Sequence, residues 1–144
     1  MEVSSLGTLD LGPVPALPEA VTVAEELGLD LSNHRARQLG DLRAQDLVVG
    51  FERKHVMAAV VDGGAAVERT FTLSELVELL LGLSSSPTDA RERIAEAHAT
   101  RPPDFRNRPM TEIRDPLGLP APKQRAVAQA VEGQVSELAT ALFD

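Results

Sequence analysis

Residues Asp30–Leu39, DLSNHRARQL, and Asp115–Gly118, DPLG, are the two stretches that decide the fold of this chain. In the first, Asp30-Leu-Ser32 offers an N-cap to a short basic turn of helix predicted over His34–Leu39. In the second, Asp115-Pro116 is a turn start. Upstream of the first, Pro18–Leu27 reads as a helix. Ala20, Val23, Ala24 and Leu27 recur at helical spacing, and Gly28 stands at its stop. Leu9–Pro18 is rich in Pro and Gly and reads as a loop, while the opening EVSS reads as a short strand ending at Gly7.

Between the two stretches, Leu47–Val49 is a compact apolar run flanked by Asp46 and Gly50, which suits a buried strand. Glu52–Val61 predicts a helix that ends at Gly63-Gly64, and Arg69–Thr72 a brief strand. Thr72 or Ser74 can cap the next helix, with Leu73, Leu76, Val77 and Leu80 on one face. Ser84–Pro87 is a break with the look of a linker. Thr88–Ala99 is a charged helix anchored by Ile94, and Arg101–Met110 an irregular polar loop. The strongest helix is Pro122–Phe143, where Val127, Val131, Val135, Leu138 and Leu142 step by three or four. Strands alternating with helices indicate an α/β fold: a small parallel sheet flanked by helices. A length of 144 residues makes it one domain, 1–144.

Composition narrows the function classes. Aromatics are 3% with no Trp or Tyr, so platforms for stacking nucleobases are scarce. A net charge of −8 argues against a nucleic-acid or anionic-membrane partner, which would want clustered Lys and Arg. The absence of cysteine removes disulfides, thiolate nucleophiles and thiolate metal sites together, and fits a cytoplasmic protein. MEVSSLGTLD has an acid at position 2 and no apolar core, unlike a signal peptide. Glu52-x-x-His55 has the i, i+3 spacing of carboxylate-bridged metal sites. Those sites use two copies and this chain has one, so a surface helix is the better reading. No G-x-G-x-x-G, GKS/T or G-x-S-x-G motif occurs, and no cofactor or metal is implied.

The words D-x-S-x-H-x-A-R-Q from Asp30 and Asp-Pro from Asp115 resemble signature segments of the low-molecular-weight protein tyrosine phosphatases, in that family's order. Val3–Thr8 resembles the family's second strand, Asp46–Val49 its next core strand, Glu112–Gly118 its acid loop and Pro122 onward its closing helix. The resemblance covers essentially the whole chain but begins at that second strand. It implies a domain that lacks the family's first strand, first helix and C-x5-R nucleophile loop. By resemblance Asp115 takes the general-acid position, with a plain Asp-Pro turn as the alternative. Ser5 and His34 match a pair that supports the phosphate loop; the alternative is a His34 that satisfies local backbone groups. Arg35 and Arg37 are read as solvated or helix-packing rather than phosphate-binding. Leu117 stands where many relatives carry an aromatic wall for the substrate ring.

With no thiolate, the resemblance implies a non-catalytic phosphatase-like domain acting as a binding or interaction module. The alternative is an active phosphatase of which this chain is an N-terminally truncated form. A third, an arsenate reductase relative, shares the fold, but its chemistry consumes several thiols. The implied partners are a phosphoprotein or small phosphomonoester, and a second copy or partner protein at exposed sheet edges. The strands at Val3–Ser5 and Leu47–Val49 are expected not to be ordinary neighbours, because in the family another strand lies between them.

Overall fold

Two three-residue strands, β1 (Val48–Gly50) and β2 (Thr70–Thr72), pair in parallel, with Val48 opposite Thr70, Val49 opposite Phe71 and Gly50 opposite Thr72. Parallel neighbours need a crossover, and α2 (Arg53–Val61) followed by a single 3₁₀ turn at Val67–Arg69 supplies it. The computed structural model describes residues 2–83, 89–109 and 111–144. Around the two strands lie α1 (Pro18–Glu26), α3 (Leu73–Leu81), α4 (Ala90–Thr100) and α5 (Ala121–Phe143). This is the small parallel sheet flanked by helices that the residue pattern predicts. The Ser84–Pro87 break lies outside the described residues.

The helix ends follow local chemistry. Pro18 opens α1, where its missing N–H costs nothing, and Gly28 leaves it with φ +75. Thr72 caps α3 by accepting from Glu75 N at 3.2 Å. Ser74, the other candidate cap, instead donates to Gln134 Oε1 at 2.9 Å and so ties α3 to α5. Asp89 caps α4 through Arg91 N and Glu92 N.

Phe71, Leu76, Leu80, Ile94, Ala97 and Leu142 form the main core, and Leu42, Ala59 and Ala65 a small second cluster. Arg101 is buried against the first. Its guanidinium makes a two-pronged contact with Glu75 at 2.9 and 2.8 Å and donates to Val67 O and Thr70 O. It also lies 3.8 Å from the Phe71 ring centroid and 4.5 Å from that of Phe105.

Two expectations need correction. The first is a strand at Val3–Ser5, where no strand forms and Val3 is 78% exposed. The chain makes only single bridges there, Gly7 with Gln38 and Pro15 with Arg35. The second is a helical turn over His34–Leu39, which runs extended instead. Its amides are claimed from outside: Ala36 N donates to Val14 O, and Leu39 N to Gly7 O. Only the Asp30 cap survives, as a turn closed by Ser32 N on Asp30 Oδ1 at 2.8 Å. The helix expected over Pro122–Phe143 forms as α5, and its apolar stripe meets the main core at its C-terminal end, where Leu142 is buried and Leu138 packs against the core, while Val135 is 48% exposed.

One surface turn has a readable charge signature. Asp41 accepts from Arg43 Nε, Nη2 and N, at 2.9, 2.7 and 3.0 Å. The guanidinium first, and the amide second, lower the Asp41 carboxyl from 3.8 to about 2. A depressed carboxyl contributes stability that is present above its unfolded value and lost as pH falls through the folded one, here between 3.8 and about 2. A carboxyl-detected NMR titration is expected to place the Asp41 midpoint near 2 and to move it toward 3.8 in Arg43→Ala. A midpoint unchanged by that substitution would refute the assignment.

Candidate functional site

Both strands end on the same side of the sheet, β1 running into the start of α2 and β2 into the start of α3. In open α/β sheets this carboxyl edge is where ligands sit. The turn from β1 into α2 is tight, and Gly50 permits it. A Cβ built there would lie 2.8 Å from His55 Cβ and 3.3 Å from Val56 N. Glu52 and His55 then close α2 with a reciprocal cap, His55 Nδ1 accepting from Phe51 N and Glu52 N at 3.3 and 3.2 Å. That use accounts for the Glu52-x-x-His55 spacing. With Nδ1 an acceptor, the neutral ring carries its proton on Nε2.

The loop that follows α4 comes back to this edge. Ile113 N donates to Phe51 O at 3.0 Å, and Glu112 Oε1 accepts from Arg53 N at 2.7 Å. Arg53 in turn donates through its guanidinium to Phe105 O and Arg108 O, holding the stretch before the loop. Asp115 is thereby delivered, exposed, beside the beginning of α2. Its Oδ1 accepts from Leu117 N at 2.9 Å, Leu119 N bonds Pro116 O, and Gly118 at φ +78 turns the chain toward α5.

Lys54 is the cation among these acids. Its ammonium sits 2.9 Å from Glu52 Oε1. Its pKa is raised chiefly by that hydrogen bond, with the charges of Glu52, Asp115 and Glu112 adding to it. A shallow groove runs alongside, between Ser74, Thr111–Arg114 and the α5 residues Ala126, Val127, Ala130 and Gln134.

Chemically, this edge offers a carboxyl group able to exchange a proton and a lysine to balance charge. It offers no thiol, and Glu112 and the Glu52 cap already occupy the leading amides of α2. A phosphate at that helix end would have to displace carboxylates.

Ser5 and His34 lie elsewhere, on the N-terminal arm and the extended stretch that bridges it. Both are exposed, and among the described residues no hydrogen bond joins their side chains or links either to Asp115. Ser5 contributes its carbonyl, which accepts from Arg37 Nη2 at 3.2 Å; His34 N donates to Leu31 O. Arg35 donates to Ser32 O and His34 O, so it serves its own turn while Arg37 ties the stretch to the N-terminal arm. Glu112 and Arg53, which anchor the Asp115 loop, carry no signal at sequence level beyond Glu112's place three residues before Asp115. Among the described residues no group of three or more His, Asp and Glu is placed to hold a metal ion, and no helix is long and apolar enough to cross a membrane.

No protein-family model matches the chain, and no curated protein matches it by sequence. A solved structure does: the low molecular weight protein tyrosine phosphatase from T. tengcongensis, with a TM-score of 0.67 and 26% sequence identity. The match covers 95% of this chain and 75% of that one. The fold is that of a low-molecular-weight phosphatase.

Proposed function

We propose that this chain is a non-catalytic phosphatase-like domain whose 144 residues act as a binding or interaction module and do not hydrolyse phosphate monoesters by the family's thiolate route. One observation carries the reading: a fold shared with a low molecular weight protein tyrosine phosphatase over 95% of the chain, built from a sequence without cysteine. A cysteine nucleophile of the kind the family uses is not available, and an acid alone has nothing to assist. Asp115 as general acid would add about 10²–10⁴-fold to a displacement that already had its nucleophile. Leu117, with no Tyr or Trp in the chain, leaves a substrate ring without the wall an aromatic residue would provide.

The test is a para-nitrophenyl phosphate assay on the purified chain, run beside Asp115→Asn. The expected result is no turnover above the buffer rate for either protein. Turnover that exceeds background and falls in Asp115→Asn would overturn the proposal and point to another nucleophile.

A further inference from the structure

We infer that the groove between the Asp115 loop and α5 docks a short acidic peptide segment of a partner protein, an inference that rests on reading this chain as a binding module. The floor of the groove is apolar, built by Ile113 from the loop and by Ala126, Val127 and Ala130 from α5. Its far end is neutral and polar, where Ser74 donates to Gln134 Oε1. The groove measures about 370 Å³ and is open along its length. It therefore meets one side of a chain and does not surround a small molecule, which a binding cavity would largely bury.

The other end is cationic. Arg114 lines it, and Lys123 stands one helical turn before Ala126 and Val127 on the same face of α5. Both residues are exposed, and among the described residues neither side chain is held by a hydrogen bond or an ion pair. The acid that lines the groove, Glu112, has its carboxylate on Arg53 N. Residues 113–130 carry three basic side chains and one acidic one, in a chain whose net charge is −8. The groove is thus a positive place on a negative molecule.

That contrast selects the occupant. At physiological salt, charges act over about 8 Å, so a short peptide feels the cations of the groove and little of the rest. A polyanion such as nucleic acid or an anionic membrane spans the molecule and meets its full −8. A small free anion would leave the apolar floor uncovered. A peptide with one or two carboxylates beside small apolar side chains matches both parts. Its acids meet Arg114 and Lys123, and its apolar groups cover Ile113, Val127 and Ala130. The charges then fix register and speed the encounter, and the apolar contact supplies the buried area.

Fluorescence anisotropy on the intact chain tests this, with a labelled hexapeptide of two aspartates followed by alternating valine and alanine. The expected affinity is tens to hundreds of micromolar, weakening as salt rises. Arg114→Glu/Lys123→Glu and, separately, Ala130→Glu are each expected to bind the peptide at least tenfold more weakly. Both should keep the wild-type circular dichroism, since all three residues are exposed. The peptide carries no phosphate, so its binding is read independently of para-nitrophenyl phosphate turnover. Turnover would overturn the non-catalytic reading, whereas failure to bind the peptide at millimolar concentration would overturn the groove alone. Equal binding of a peptide with lysines in place of the aspartates would also overturn it. So would a second copy in the groove, seen as a doubled sedimentation mass that the same variants abolish.

Discussion

Replacing Arg101 by Ala is expected to destabilise the protein by about 3–5 kcal/mol, the usual cost of removing one partner from a buried ion pair. The side chain is 2% exposed and Glu75 14%. Truncation would leave the Glu75 carboxylate without its fork, take the guanidinium donor from Thr70 O and one of two donors from Val67 O, and open a gap between two phenyl rings. A domain of ordinary stability has about 5–15 kcal/mol in total, so much of it would be lost. Lys cannot restore the loss, because an ammonium lacks both the planar fork and the flat face that stacks. Urea unfolding of Arg101→Ala, Glu75→Gln and the double variant forms the check. The double variant should cost clearly less than the sum of the singles, since removing both partners leaves no unpaired charge. Additive costs would show that the two groups do not stabilise each other.

The second large effect is expected at Gly50. Its backbone lies outside the left-handed region, so any cost of a side chain there is steric. Gly50→Ala places a methyl 2.8 Å from His55 Cβ and against the Val56 amide, which can be relieved only by moving the start of α2 away from β1. Overpacking of this kind costs about 1–3 kcal/mol. The motion also pulls His55 from the amides it caps and disturbs Phe51 O, which holds the Asp115 loop through Ile113. Gly133, with open space around it in an exposed stretch of α5, is the control, and Ala there should stabilise by about 0.5–1 kcal/mol. Equal behaviour of the two alanine variants in urea would refute the close-approach account.

What the sequence disclosed was what its local rules control. α1, α3 and α5 follow from periodicity and from Pro18, Thr72 and Pro122 at their starts. Leu47–Val49 anticipates β1 within one residue because its apolar run is covered, Leu47 by the main core and Val48 by the small cluster around Leu42. Val3–Ser5 has the pattern of a strand without forming one, because a strand is a pairing and no pattern within EVSS says whether a neighbour is present. His34–Leu39 has residues that suit a helix, yet the carbonyls of Gly7 and Val14, over twenty residues away, take the Leu39 and Ala36 amides and outcompete it. Asp115 was legible through its turn. Its anchors Glu112 and Arg53 were not, because they meet across 59 residues. In the sequence Arg101 reads as part of a polar loop for the same reason: its acceptors lie 26 to 34 residues upstream.

The uneven placement of the core along the chain governs how the molecule comes apart. Every member of the main cluster falls between Phe71 and Leu142, whereas Val23 and Ala24 are the buried apolar residues of the first forty. Regions with few buried contacts open at a small fraction of the global unfolding free energy. Amides of the arm and of the extended stretch after Asp30 therefore meet solvent many times for each time that those of α3 do. A protease would trim the folded chain from that end, leaving for last the piece that Arg101 holds together.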